Sequence, residues 1–537
     1  MKQRRYRRII LIITIMVSCL QASCMSIELN RENDYVGPRP ATLQPQHGTD
    51  DGTESQENLL STPIEQEGPI RVRIQDAILL ALEHNRSLKI EKLNPAITRT
   101  VEDEQRAAFD PVLTGEYSQY RRKIDGPVQG SQRSLDNDIN AKLDMSEYLP
   151  TGTEVKLSAS TNQAWSDLYS DDLFASRIGL SITQALLRGA GIDYNLAALR
   201  QARIDTKASQ YELRGFAESL IAQVENTYWD YALTRRQIDI FLESLKLADQ
   251  QKRETEEMIR IGTLAESELA AAEAEIALRR EGLINARSNL EKSRLQLLRL
   301  LNPPGTNLWN RNIVLLYQPV VPHVVLEVVE THVDIGLKMR SDLNQARLQI
   351  QRGDLEIVKT RNGLLPRMDL FIDLGKTGYA GSFGRSVDAI DGKSYDILAG
   401  ISLEFPFVNR EARGEHRRSI LTREQADEAL NNLVQLVQVD VRSAYVEVKR
   451  AREQITATAA TRAFQEEKAR VEAEKFRVGK STSLLVAQAQ RDLLSSRISE
   501  IESIVNYLKA LVELYHLEGS LLERRGIMAP GYEPADF

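Results

Sequence analysis

Two cysteines, six histidines and one small glycine cluster are the residues of this 537-residue chain whose types invite chemistry. Cys19 and Cys24 close an N-terminal segment in which Arg4, Arg5, Arg7 and Arg8 precede the apolar run Ile9 to Val17. That run is too short to cross a bilayer as a helix, so residues 1–24 read as an export signal. A thiol at such a cleavage site is where a bacterial lipoprotein takes its lipid, here Cys19 or Cys24. The usual lipoprotein box has an aliphatic residue three positions ahead, and Met16 and Gln21 stand there instead. Plain cleavage near residue 24, without lipid, is therefore the alternative. No cysteine occurs after Cys24, which excludes a disulfide framework or thiolate metal site from the exported chain. His47, His84, His323, His332, His416 and His516 share no metal-ligand spacing. Nucleophile elbow, P-loop and dinucleotide fingerprint are all missing, and Gly189-Ala190-Gly191 reads as a strand-to-helix turn. The expectation is no enzyme, no cofactor and no metal.

With chemistry set aside, the elements carry the information. A charged fraction of 27% and a formal charge of −7 suit a water-exposed body and argue against nucleic acid as a partner. Residues 25–68, rich in Pro, Gly, Gln and acids, read as a flexible leader. No later segment holds about 18 consecutive apolar residues, so any membrane insertion falls to strands.

Beyond residue 68 the chain is a duplication. Leu213, Phe216, Leu220, Val224, Tyr228 and Tyr231 form an apolar stripe at helical spacing. The same stripe returns 217 residues later as Leu430, Leu433, Val437, Val441, Tyr445 and Val448. That offset also maps Arg260-Ile261-Gly262 onto Arg477-Val478-Gly479. Upstream, an offset of 255 maps Leu82, Leu88 and Pro111 onto Leu337, Leu343 and Pro366, placing extra residues in the first copy between Pro111 and Gly179. Such register means two copies of one structural unit.

The helices of each unit are long, because proline is absent from 151–302 and from 407–529. The stripes predict a helix over 192–260 and a return helix to 301, reversed near Gly262. The second copy repeats this with 411–476, Gly479 and 481–518. Recurrence of the stripe at eleven residues favours nearly straight or slightly right-handed packing, with a plain coiled-coil seam as the alternative.

Between the helices, apolar and polar residues alternate. Ile139, Ala141, Leu143 and Met145 do so; so do Val155, Leu157 and Ala159, then Ile178, Leu180 and Ile182. The second copy has Met368, Leu370, Ile372 and Leu374, then Tyr395 through Phe405. Period-two segments of about nine to eleven residues are what a membrane strand needs, though a soluble sheet alternates too. Tyr117, Tyr120, Tyr148, Trp165, Tyr169, Phe371, Tyr379, Phe405 and Phe407 suit interfacial girdles, with ordinary sheet packing as the alternative.

Taken in order, these motifs resemble the TolC family of outer-membrane efflux proteins. The carriers are Ala81-Leu82-Glu83-His84-Asn85-Arg86-Ser87-Leu88-Lys89, Gln184-Ala185-Leu186-Leu187-Arg188-Gly189-Ala190-Gly191, and the Arg-x-Gly tips at 260–262 and 477–479. The resemblance covers roughly residues 70–520 and implies an α+β membrane protein. Duplicated long antiparallel helical hairpins would form an α-barrel tunnel, and β-hairpins would contribute to a shared transmembrane β-barrel. On this reading 69–305 is the first repeat, with strands in 111–184 and a helical hairpin over 192–301. Residues 306–335 connect to the second repeat, 336–520, with a β-hairpin at 367–407 and a helical hairpin at 411–518; 521–537 is a tail. The family has two strands per copy, whereas the first copy here carries four.

The function implied is a passive exit duct of a tripartite efflux or type I secretion system. Its partners would be a homotrimer of this chain, a periplasmic adaptor, an inner-membrane pump and outer-membrane lipid. Arg260, Ile261, Gly262, Arg477, Val478 and Gly479 match the family's adaptor-contacting tips. The second-copy carboxylates that narrow the family's pore are replaced here by Leu485 and Gln488, leaving Glu268 of the first copy as the acid of a pore constriction. A soluble periplasmic coiled-coil adaptor is the competing reading.

Overall fold

A computed structural model describes residues 68–124, 134–166, 173–305, 307–316, 319–322 and 325–528. Cys19, Cys24, the export segment, nearly all of the leader, His47, Tyr169 and the last nine residues lie outside the described residues.

Two helices set the length of the molecule. Helix α5 (Ala197–Arg260) has 64 residues and α10 (Arg410–Arg477) has 68, so each is about 100 Å long at 1.5 Å per residue. They run through the proline-free stretches, and their apolar stripes bury together in one core. Leu220 and Val224 of α5 and Val437 and Val441 of α10 are all 4% exposed or less. Burying a side chain of this size contributes about 1.5–3 kcal/mol, repeated along the seam.

Shorter helices complete a layer four helices wide. Away from the strands, α6 (Ser267–Leu301) returns along α5 and α11 (Ser483–Leu517) returns along α10, in the order α6–α5–α11–α10. Toward the strands, α3 (Asn94–Arg106) and α8 (Ser341–Gly363) take the places of the return helices, in the order α3–α5–α8–α10. Helices α1 (Ile74–His84), α2 (Arg86–Glu91) and α7 (Val329–Met339) lie at the waist where the two sets meet. There β1 (Ile70–Val72) pairs in parallel with β6 (Ile313–Leu315). Among described residues no helix is long and apolar enough to cross a membrane.

At the far end of the rods lies one antiparallel sheet. Its strands are β2 (Val112–Ile124), β3 (Ser134–Leu149), β4 (Thr153–Ser166), β5 (Leu173–Ala185), β7 (Arg367–Ala380) and β8 (Tyr395–Glu404), in the order β2-β3-β4-β5-β7-β8. The additional strand pair of the first copy is thus part of the same sheet as the rest. The β3–β4 turn is sealed onto the helices. Gly152 has φ +86°, and a Cβ there would collide with the Gly189 carbonyl. The Asn195 amide, in the short helix α4 (Ile192–Asn195), donates to the carbonyls of Pro150 (3.1 Å), Gly189 (2.9 Å) and Gly191 (3.0 Å). Gly189-Ala190-Gly191 is accordingly the joint between β5 and α4. Between β7 and β8, α9 (Phe383–Asp388) folds back onto β7 and β5, tied by a 2.7 Å bond between the Ser386 and Ser176 hydroxyls.

Strands β1 and β6 and the last helix are among the elements that gave no periodic signal. Strands β1 and β6 have three residues each, and β6 falls in the segment read as a connector. Helix α12 (Leu521–Arg524) falls in the segment read as a tail, yet Leu521 and Leu522 are fully buried. Four residues are little more than one turn, too few for a 3.6-residue pattern to register.

Candidate functional site

The register of the sheet sorts its side chains into two chemically opposite faces. One row of directly opposed residues runs Leu113–Met145–Leu157–Leu180–Leu374–Ile397 across all six strands. Successive side chains point to opposite faces, so the adjoining row, Thr114–Asp144–Ser158–Gly179–Gly375–Asp396, lies on the other side. The next row on that polar side is Glu116–Lys142–Ser160–Arg177–Thr377.

The apolar face is open toward the helices, and α9 covers it at the far end over Ser176 and Gly378. Leu113 is 68% exposed, Ile397 65% and Ile401 64%. A continuous apolar surface of this extent marks an interaction with membrane or protein. The polar face is cross-linked by charge: Asp144 lies 2.8 Å from Lys142 and 3.4 Å from Lys156, and Arg177 lies 2.5 Å from Asp396. Gly375 makes room for the last pair, because a Cβ there would sit 2.5 Å from the Arg177 guanidinium. The two cross-strand pairs, Asp144–Lys156 and Arg177–Asp396, contribute about 0.2–1 kcal/mol each, and all three line the face with fixed charges. A wall apolar on one side and ionic on the other has the amphipathic pattern of a strand sheet between lipid and water.

The other sequence-singled residues lie at the opposite end of the rods. Gly262 (φ +79°) and Gly479 (φ +73°) end α5 and α10 in the same motif. In the first, Gly262 N donates to Ile259 O and Thr263 N to Met258 O, both at 2.9 Å; in the second, Gly479 N donates to Phe476 O (2.9 Å) and Lys480 N to Lys475 O (2.8 Å). This Schellman pattern satisfies the last helical carbonyls and requires the left-handed backbone that glycine adopts at least cost. Ile261 and Val478, one residue before, are 63% and 67% exposed.

The two tips are alike in backbone but not in side chains. Among described residues Arg260 pairs with Glu257 of its own helix alone, whereas Arg477 reaches Glu254 of α5 at 3.4 Å as well as Glu474 at 3.1 Å. In the second tip Thr482 caps α11 by accepting from Leu485 N; Glu266, at the N-cap of α6, makes no such bond. The Ser483 hydroxyl donates to Glu268, joining the return helices of both copies. Leu485 and Gln488 are exposed on α11 close by, so Glu268, Leu485 and Gln488 are gathered at one end of the layer.

A third cluster escaped the sequence reading. At the waist, Arg525 makes a forked pair with Glu225 of α5 at 2.6 and 2.7 Å, and Glu225 is fully buried. Arg214, also fully buried, donates to Glu523 (2.6 Å) and to Gly519 O (3.0 Å) and lies 3.1 Å from Glu218. His332 meets Glu518 at 2.5 Å. Residues about 300 apart in sequence leave no local spacing by which to find one another. Among described residues no group of three or more His, Cys, Asp or Glu could hold a metal ion.

Residues 334–520 match the model of the family described as outer membrane efflux protein. No curated protein sequence matches. Among solved structures, the chain is similar to the CmeC outer membrane channel of Campylobacter jejuni, at 17% identity over 92% of this chain and 96% of that one, with a TM-score of 0.63. It is also similar to CusC, at 16% identity over 89% and 99% with a TM-score of 0.63. The MtrE outer membrane channel of Neisseria gonorrhoeae, in its open state, matches at 19% identity over 89% and 97%, with a TM-score of 0.59. At these identities the likeness is one of fold.

Proposed function

We propose, from the premise that residues 334–520 belong to the outer membrane efflux protein family and that the chain has the fold of TolC-type channels, that this protein is the outer-membrane exit duct of a tripartite efflux or type I secretion machine. One observation carries the reading: a sheet with an apolar face and an ion-paired face stands at one end of helical rods about 100 Å long. Three copies would close the sheets around a water-filled lumen, polar face inward. The rods would extend through the periplasm to an adaptor, and an inner-membrane pump would supply the energy. A lipid on Cys19 or Cys24 would add a second hold on the membrane. The competing soluble adaptor would leave the apolar face in water, which disfavours it.

Outer-membrane fractionation with a detergent gel tests the reading. The unboiled protein should run as an oligomer from the outer-membrane fraction and open a conductance in planar bilayers. Recovery as a soluble periplasmic monomer would overturn it. Palmitate labelling of Cys19→Ser and Cys24→Ser variants locates the lipid; no label in the parent protein would remove it.

Ile261 and Val478 present exposed apolar side chains at the tips and are the adaptor contacts of this reading. A double Ile261→Asp, Val478→Asp variant should lose adaptor cross-linking while its conductance in bilayers is kept. Retained cross-linking would move the contact elsewhere. Glu268, Leu485 and Gln488 form the constriction. Because Glu268 is its only acid, Glu268→Gln should move the zero-current potential in a salt gradient toward zero; an unchanged potential would place the selectivity step elsewhere.

A further inference from the structure

The sheet ends in two open edges. Every described side chain of β2 is exposed, as are nine of the ten in β8, whereas the four strands between them are partnered on both sides. A free edge at membrane depth is untenable, since lipid offers nothing to its N–H and C=O groups. The number of strands fixes the polarity of the remedy. With six antiparallel strands, β2 and β8 run in opposite directions, so β8 of one copy meets β2 of the next in the antiparallel sense that holds elsewhere in the sheet.

The stagger of the sheet says whether all six strands can close. The row that starts at Val112 runs through Ser146, Lys156, Ser181 and Asp373 to Leu398. Val112 opens β2 at the helical rim, whereas β8 continues six residues past Leu398 to Glu404. With the rim level, six residues at about 3.3 Å against five strand spacings of about 4.8 Å give a tilt of about 40°. Closed barrels tilt by about 35–45°. At that tilt six strands span about 38 Å of circumference, and four would span about 25 Å. The four-helix layer below, at about 9 Å per helix, spans about 36 Å. Six strands therefore fit the arc set by the helices, and four leave it short.

We propose that the copies join edge to edge, β8 to the next copy's β2, so that three of them close an eighteen-stranded barrel instead of the twelve-stranded one that four strands per copy would give. The inference rests on the trimeric channel reading above. The same stagger sets the seam. One further step brings Leu398 opposite Ser118 or Tyr120 of the neighbour, the two nearest positions on the polar face. Leu398 and Tyr120 are exposed apolar residues on the polar face, as are Val112, Leu173 and Tyr379. Pairing them covers both and places Ile401 against Tyr117 on the apolar face, a β-branched–aromatic pair of the kind that favours a strand junction. Barrel diameter grows roughly linearly with strand number, so this mouth is about 1.5 times as wide as a twelve-stranded one and admits correspondingly bulkier cargo.

Cysteine pairs in the full-length chain test the seam. Leu398→Cys with Tyr120→Cys, and independently Ile401→Cys with Tyr117→Cys, should give covalent oligomers on oxidation; the single variants should give at most dimers. Cross-linking of Leu398→Cys with Ser118→Cys would keep the barrel and shift the register by two. If the first hairpin hangs outside a twelve-stranded barrel, Leu398→Cys should instead cross-link to Asn162→Cys in β4, and the proposal falls. It falls equally if heat-resistant trimers form and none of the β2 pairs cross-links. Failure to form any trimer would defeat the channel reading itself, a distinguishable outcome. As a second readout, polymers about 1.5-fold larger in radius than a twelve-stranded pore accepts should still lower the conductance.

Discussion

Arg525→Ala is expected to destabilise the protein by about 3–5 kcal/mol, the usual cost of stranding a buried charge by removing its partner. Glu225 is fully buried, and both of its carboxylate oxygens accept from the Arg525 guanidinium. Without that fork the carboxylate keeps its desolvation cost and loses its compensation. Arg525→Lys retains the charge but not the paired geometry, and should fall between wild type and alanine. In detergent, the midpoint of helix melting followed by circular dichroism should drop by about 3–5 °C for the alanine variant. Glu225→Gln in the same chain should restore much of the loss, since it removes the stranded charge. An alanine variant that melts with wild type would show the waist clamp to be dispensable.

The second large effect is on pH. Burial pushes the Glu218 carboxyl up to about 8 from an ordinary 4.5; Arg214 opposes the shift, and Glu523 and Asp342 add to it. A folded-state value above the unfolded one means that the folded chain holds the proton more tightly. The stabilisation is therefore complete below about 4.5 and is lost as pH rises through about 8. Within that window each pH unit costs up to about 1.4 kcal/mol. Wild type should thus melt at progressively lower temperature from pH 5 to pH 8.5, and Glu218→Gln, neutral throughout, should show a flatter profile. The difference between the two proteins isolates Glu218 from other titrating groups such as His516. Parallel profiles would mean that Glu218 is already ionised at pH 5.

How much of this was legible follows the length scale of each feature. The long helices were, because proline is absent from them and their stripes repeat at 217 residues; the two stripes lie in one core. The strands were legible because their sheet has one apolar and one polar face, so period two survives along each. The pairing order was not: alternation tells which face a residue takes but not which strand lies beside which, so the place of the extra pair came only with the register. The glycine breaks at 262 and 479 showed through their repetition, whereas the bond from Ser483 to Glu268 between copies left no trace in spacing. Least legible was the waist. Strands of three residues, a helix of four and ion pairs across 300 positions have no periodicity to read.

That last arrangement also governs timing. Glu523 and Arg525 are synthesised about three hundred residues after Arg214 and Glu225, so a chain threaded amino end first makes its two rods before it can fasten them. Until α12 arrives, Glu218 and Glu225 stay hydrated and the rods stay free to slide. By then β2 and β8 have both emerged. The chain thus reaches its final stiffness only when both borders of its sheet are ready to be shared, which shortens the interval in which a half-made edge is open to the wrong neighbour.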